Sequence, residues 1–319
     1  DPYFRCHHYN ELTFSMIYAY SENFVLVFSH DEVVHGKGSL IGKMPGASLE
    51  DKFANLRAAY GFMLGHPGKK LLFMGQDFGQ IDEWNENTGI EWDLLQYPIH
   101  SRLKEYVKEL NELYRAHPSL YERDYHPDGF EWINCMDAAD NIVSFVRKSE
   151  GETLLFVCNF APVLHPKFQL GVPFEGKYKE IFCSDAERFG GSGKGNPRVK
   201  TSRRAECDGK EQSITIQVPP LGVCIFSCTP SGPQSVKKEA VAKTEKAKKK
   251  TPARGRKKDR PADVLPAAEQ DAAAPENTAA AQSAMQEKAA ALKEAARAAV
   301  AGKIIRLSFP GKGKMKRKE

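Results

Sequence analysis

Apolar residues recur along this chain with more than one period, and the changes of period divide it. In the first part, helical spacing alternates with short unbroken apolar runs. Leu12, Met16, Ile17 and Tyr20 share one face of a predicted helix over Glu11–Tyr20, which Asn10 is placed to cap. Phe24-Val25-Leu26-Val27-Phe28 follows, a continuous apolar run of the kind that forms a strand buried on both faces. Ser48, with Asp51 three residues on, is the signature of a capping box. It opens a helix with Phe53, Leu56, Tyr60, Met63 and Leu64 on its buried face, stopped by His66-Pro67-Gly68. Leu71–Met74 predicts a second buried strand. Ser101 then opens a third helix, with Leu103, Tyr106, Val107, Leu110, Leu113 and Tyr114 on one side and Pro118 beyond its end. Alternation of this kind predicts parallel strands joined by helical crossovers.

From about Tyr125 the period shortens to two. Strands are expected at Phe130–Asn134, Ile142–Arg147, Leu154–Asn159, Tyr178–Cys183, Ser213–Val218 and Val223–Cys228. Turn residues such as Ser149-Glu150-Gly151 and Asp208-Gly209 separate them, and no helical pattern interrupts. An antiparallel β-sandwich is the expected architecture.

From about residue 230 the pattern lapses. Lys237 to Arg260 is rich in Lys, Ala and Arg and holds too little apolar surface to offset the entropy of ordering, so a disordered tail is expected. Residues 277–301 are Ala-rich, with Met285, Ala289, Leu292, Ala296 and Ala299 at helical spacing, and predict a marginal helix.

Charge sharpens this division. Residues 231–319 carry 22 Lys+Arg and 10 Asp+Glu, a net of +12; the whole chain has 46 and 41, leaving 24 and 31, a net of −7, for residues 1–230. The overall +5 is an average over an acidic body and a basic tail, so it does not mark the folded part as a nucleic-acid binder. The seven cysteines all precede the tail, are odd in number, and show no CxxC pair. A reducing cytoplasm is the expected setting. No apolar stretch approaches the ~18 residues of a membrane span.

The chemistry concentrates after the first strand, where the apolar run breaks into Ser29-His30-Asp31-Glu32-Val33-Val34-His35-Gly36-Lys37. Ionisable groups at the carboxyl end of a buried parallel strand lie where α/β folds place their active sites. Phe24 to Leu40, Lys69 to Gln80, Glu83-Trp84-Asn85, Leu154 to Phe160, Ser184 to Glu187 and Gly190 to Gly193 together resemble the bacterial 1,4-α-glucan (glycogen) branching enzymes of the α-amylase superfamily. The resemblance covers roughly residues 1–228 and not the tail. It implies an α/β plus all-β protein: the last part of a (β/α)8 TIM barrel, about its last two strands, in 1–124; the family's β-sandwich in 125–229; and the tail in 230–319. Two strands cannot close a barrel, so about six barrel strands are expected upstream. The chain, which opens on Asp1-Pro2, then reads as a carboxyl-terminal piece of something longer.

The resemblance also implies roles. Retaining α-glucan enzymes use a nucleophile and a general acid/base, with a third carboxylate that steadies the oxocarbenium-like transition state. Asp31 is implied to be that third carboxylate, and His30 its neighbour on the same sugar. Glu32, His35, Lys37, Asp77 and Trp84 are implied substrate contacts. Asp77 stands where the family more often has glutamate, on a stem one methylene shorter, which puts its reach in question. Trp84 and Trp92 flank a loop; either could stack on a sugar, with buried packing the better expectation for Trp92. The nucleophile and the acid/base are expected upstream of Asp1, and Glu32, Asp77 and Glu83 are not promoted to those roles. The implied reaction moves an α-1,4-glucan chain to a 6-hydroxyl by double displacement, with no cofactor and no metal, the glucan being the partner. Isolated, the chain is expected to be inactive. The tail is expected to attract polyanions non-specifically. A related α-glucan hydrolase and a non-catalytic glucan- or nucleic-acid-binding protein remain alternatives.

Three motifs fail. Gly190 to Gly195 lacks the phosphate-loop spacing and a following helix. Gly38 to Lys43 is mis-spaced and ends in Met44. Cys6-His7-His8 are adjacent rather than spaced as metal ligands.

Overall fold

The computed structural model describes residues 2–232. The tail from 233, including the helix expected over 277–301, lies outside the described residues. Four α-helices and eleven strands are described: α1 (Glu11–Phe14), β1 (Val25–Phe28), α2 (Leu40–Lys43), α3 (Leu49–Gly65), β2 (Lys69–Leu72) and α4 (Pro98–Ala116), then β3 to β11. β1 and β2 pair in parallel, Val25 against Lys69 through Phe28 against Leu72, with α3 in the connection between them.

Local chemistry accounts for most of these boundaries. Ser48 accepts from the Asp51 amide and the Asp51 carboxylate accepts from the Ser48 amide, the reciprocal capping box expected. α4 begins three residues earlier than expected because Pro98 supplies the pre-set φ of a first helical position. The helix expected over Glu11–Tyr20 is a correction. It breaks after Phe14 into a 3-10 turn, Ser15–Ile17, and Asn10 has helical φ/ψ and makes no side-chain cap. The strands also need correction. β2 lies two residues earlier than Leu71–Met74, and neither β1 nor β2 is buried on both faces. Val25, Val27 and Leu71 are 42–50% exposed, because among the described residues helices cover only one side of this two-stranded sheet.

The second part is antiparallel throughout. β3 (Phe130–Asp137), β4 (Ile142–Ser149), β5 (Glu152–Asn159), β7 (Gly176–Cys183), β8 (Lys200–Thr201) and β11 (Gly222–Pro230) form one sheet in the order β3-β4-β5-β11-β7-β8. β6 (His165–Val172), β9 (Arg203–Cys207) and β10 (Lys210–Val218) form the other, in the order β6-β10-β9. All six expected strands are present. β6, β8 and β9 are additions: β6 alternates at Phe168, Leu170 and Val172 but carries Pro166 and Gly171, which read as breakers, and β9 is Arg203-Arg204-Ala205-Glu206-Cys207, with no large apolar residue.

The large sheet is covered on both faces. One side of its central strands (Ile142, Val146, Leu155, Val157, Cys224, Phe226) packs on Leu170, Val172, Ile214, Ile216 and Val218 of the small sheet. The other side (Val143, Phe145, Leu154, Phe156, Val223, Ile225) packs on α3 and α4 in one apolar cluster. Two glycines permit that approach. A Cβ on Gly65 would lie 2.7 Å from Phe145 and Phe156, and one on Gly61 would lie 3.1 Å from Val223. No helix among the described residues is long and apolar enough to cross a membrane.

Where α3, α4 and the large sheet meet, Arg147 of β4 is fully buried. Its guanidinium donates to the carbonyls of Gly65 (2.9 Å), Leu120 (3.2 Å) and Gly129 (3.2 Å) and to Asp124 Oδ1 (2.7 Å). Asp124 Oδ2 accepts from Lys69 Nζ of β2 (2.8 Å) and Tyr114 OH of α4 (3.1 Å). Burial alone would raise the Asp124 pKa, but Lys70, Lys69 and Arg147 together hold it below its ordinary value.

Arg147→Met should destabilise the chain by about 3–5 kcal/mol, since it leaves Asp124 Oδ1 and three backbone carbonyls without their buried donor; urea unfolding at pH 7 measures this. The depressed Asp124 pKa contributes stability that is present above the ordinary carboxyl value and is lost as pH falls through the folded one. Asp124→Asn should therefore weaken the chain at pH 7 and flatten the loss of stability below about pH 4. An unchanged slope in unfolding curves from pH 6 to 3 would contradict this.

Candidate active site

The residues singled out at the end of β1 lie on a short, tightly anchored loop. Ser29 leaves the strand extended, and its Oγ accepts from the Asp31 amide at 3.2 Å, capping a 3-10 turn, His30–Glu32. The turn turns its side chains outward. The Asp31 carboxylate is 71% exposed and, among the described residues, its side-chain partners are His30 Nε2 (3.3 Å) and Ser29 Oγ (3.4 Å). The turn's carbonyls are held by two ammonium groups: Lys37 Nζ donates to Asp31 O at 2.7 Å, and Lys43 Nζ donates to Glu32 O.

Beyond the turn the backbone runs through left-handed geometry at His35 (φ 58°), Gly36 (78°) and Gly38 (70°). The strain at His35, an L residue, is stabilised from outside the loop. Glu83 Oε1 accepts from the Gly36 amide at 2.8 Å and Oε2 from the Gly38 amide at 2.7 Å. The next residue, Trp84, donates its amide to the Val33 carbonyl at 3.0 Å.

His30, Asp31 and Lys37 are thus brought together, with Glu32 joined through its carbonyl. Trp84 lies close by: its ring meets Phe73 edge-on at 5.3 Å, and Phe73 lies 6.1 Å from His30. This makes a row of three rings along one side of the turn. His35 is exposed on the loop. Asp77 faces elsewhere. Its carboxylate pairs with Lys104 of α4 at 2.9 Å, and the same ammonium sits 5.6 Å over the rings of Phe78 and Trp92. Trp92 is 58% exposed and leans on Phe78, so buried packing was the wrong expectation for it. The crevice between Val33, Leu40, Ile41, Met74, Gln80 and Trp84 measures 10 Å³, room for about one water.

Sequence reasoning passed over Glu83, whose carboxylate organises the loop. The signal was available in Gly36-Lys37-Gly38: glycines flanking one residue suit a backbone nest, which collects an anion. Nothing local said which anion. Away from this site the Gly190 to Gly195 loop wraps a carboxylate of the chain's own. Asp185 accepts from the amides of Ser192 (2.9 Å) and Lys194 (3.0 Å) and from Ser192 Oγ (2.7 Å).

Residues 132–229 match the family model described as the α-amylase C-terminal all-β domain. The 1,4-α-glucan branching enzyme GlgB of Synechococcus elongatus is 50% identical over 242 residues, 75% of this chain and 31% of that protein. The GlgB of Aquifex aeolicus is 50% identical over 225 residues, 70% of this chain and 36% of that protein. Among solved structures, an α-amylase from H. orenii aligns at 14% identity with a TM-score of 0.39, covering 64% of this chain and 39% of that one, too slight a likeness to inform the fold. The chain spans about a third of the length of the relatives it matches. Over 70–75% of its length the chain is similar to bacterial 1,4-α-glucan branching enzymes, with about half of the aligned residues identical, and residues 132–229 match the C-terminal all-β domain of the α-amylases.

Proposed function

We propose that this chain is the carboxyl-terminal part of a 1,4-α-glucan branching enzyme. On this reading residues 1–124 are the closing portion of a (β/α)8 barrel and 125–229 the β-domain that follows it. The observation that carries it is the identity of about half the residues with named branching enzymes over 225–242 positions, in a chain that presents His30 and Asp31 at the carboxyl end of a parallel strand. The exposed Val25, Val27 and Leu71 support the barrel, since that face of β1 and β2 is what further strands would cover.

The mechanism follows from charge and position. Cleavage of an α-1,4 bond builds positive charge on the sugar ring, and an exposed, weakly engaged Asp31 is free to oppose it. His30, beside it, is a donor for ring hydroxyls, while the Lys37 ammonium is engaged on the Asp31 carbonyl. The nucleophile that holds the glucan chain and the acid that protonates the leaving oxygen come from the rest of the polypeptide. The held chain passes to a 6-hydroxyl, so one α-1,4 bond is exchanged for one α-1,6 bond and no reducing end appears. A hydrolase on the same barrel would instead release one reducing end per cleavage. The seven free thiols accord with a cytosolic setting. The tail, at +12, attracts polyanions non-specifically and has no electrostatic preference for neutral glucan.

Alone, residues 1–319 should leave amylose–iodine absorbance unchanged. Loss of colour with new α-1,6 linkages would show that the chain is self-sufficient. In the complete enzyme, amylose should lose its iodine colour at constant reducing-end count; a matching rise in reducing ends would favour the hydrolase. Asp31→Asn should lower kcat by about 10²-fold or more with little change in KM. In chain 1–319 the same substitution should shift stability by less than about 0.5 kcal/mol, because Asp31 is exposed and weakly bonded. A variant with near-normal turnover, or one that unfolds, would remove Asp31 from this role.

A further inference from the structure

We propose that Glu83 is a positioning residue for the reaction: its carboxylate locks the loop that carries Lys37, and through Lys37 it fixes the Asp31 turn. The inference rests on the reading of Asp31 given above. Three observations carry it.

The first is the nest. The Gly36 and Gly38 amides converge on one carboxylate at 2.8 and 2.7 Å, one bond to each oxygen. Charge-assisted bonds of this kind are roughly twice as strong as neutral ones. The nest is filled from within, so it is not free to take an external anion. The second is the position of Lys37 between those two amides. With both flanking amides pinned, its side chain is aimed back along the loop, and Nζ meets the Asp31 carbonyl at 2.7 Å. The third is the Trp84 amide on the Val33 carbonyl at 3.0 Å, which ties down the residue that ends the turn. Glu83 and Trp84 thus brace the loop from outside.

The Asp31 carboxylate needs such a device. Its own contacts are long, at 3.3 and 3.4 Å. Its orientation is therefore set by its backbone, and its backbone is set by Lys37, Ser29 and Val33. Glu83 is about fifty residues away in sequence and enters from the segment after β2. The group proposed to meet the transition state is thus braced by an anion that touches no substrate. A carboxylate is required there. A glutamine would turn an N–H toward one of two amide N–H groups, and an aspartate is too short to reach both.

The test is a kcat and KM comparison in the complete enzyme, with Asp31→Asn in the same assay. Glu83→Gln should lower kcat about 10-fold to 100-fold while KM stays within about twofold, the pattern of a misplaced reacting group. Lys37→Met should also lower kcat, and the double variant should lose no more kcat than the worse single one, because the two residues act in series. In chain 1–319, Glu83→Gln should speed hydrogen exchange at the Gly36, Lys37 and Gly38 amides without lowering the melting temperature. Asp31→Asn inactive with Glu83→Gln within about twofold of wild-type kcat would overturn the proposal and leave the functional reading intact. So would multiplicative losses in the double variant, or a global fall in melting temperature that accounts for the lost activity. An active Asp31→Asn would instead overturn the functional reading beneath it.

Discussion

A buried guanidinium facing a buried carboxylate is the constraint on which the rest of this structure depends. Arg147 and Asp124 are both almost inaccessible to solvent. Removing two charges from water costs several kcal/mol each, and only a full set of partners offsets it. The chain supplies that set from six places: the end of α3 at Gly65, the turns at Leu120 and Gly129, β2 at Lys69, α4 at Tyr114, and β4 itself. Three of those partners are backbone carbonyls, two in turns and one at a helix end, with no ladder of their own to satisfy them. The ion pair is therefore less a source of net stability than a specification. It ties the parallel strands, the helices and the antiparallel sheet to one another.

That placement is what carries the candidate site. β1 pairs with β2, β2 is tied through Lys69 to Asp124, and the segment after β2 reaches back through Glu83 and Trp84 to hold the loop after β1. Rigidity reaches Asp31 along this path while the carboxylate itself stays in solvent. Exposure with few bonds is what the role proposed for Asp31 requires, just as full satisfaction suits Arg147 and Asp124 to a structural one.

Much of this was legible in the residues, and the failures have physical causes. The capping box at Ser48 and Asp51 and the six apolar strands were readable because each is a local signal. The helix at Glu11 was overextended, since periodicity does not reveal where a helix gives way to a 3-10 turn. β9 was missed because its strand conformation is imposed by its partner rather than by apolar alternation, and β6 because Pro166 and Gly171 interrupt the alternation of Phe168, Leu170 and Val172. The His30–Asp31 turn could be located from its abrupt change of polarity. The destination of Asp77 could not, because Lys104 lies twenty-seven residues on and meets it only once α4 has packed. Glu83 was equally hidden, since a nest announces an anion without naming it. Arg147, in an apolar strand, reads as an exposed end until the carbonyls that receive it are assembled.

The close seating of Phe145 and Phe156 on Gly65 has a consequence for how such proteins can be divided. The apolar cluster beneath α3 and α4 draws its other half from β4, β5 and β11, so the sandwich has a core of its own between its two sheets while the helical part shares its only large cluster, among the described residues, with the sandwich. A sequence boundary near residue 125 separates two topologies but cuts through one interior. Exchange of the β-domain between relatives would then work as a transplant of a surface, not of a module. It would succeed only where the recipient helix keeps glycine at the crossing point and offers carbonyls to an arginine arriving from the sheet.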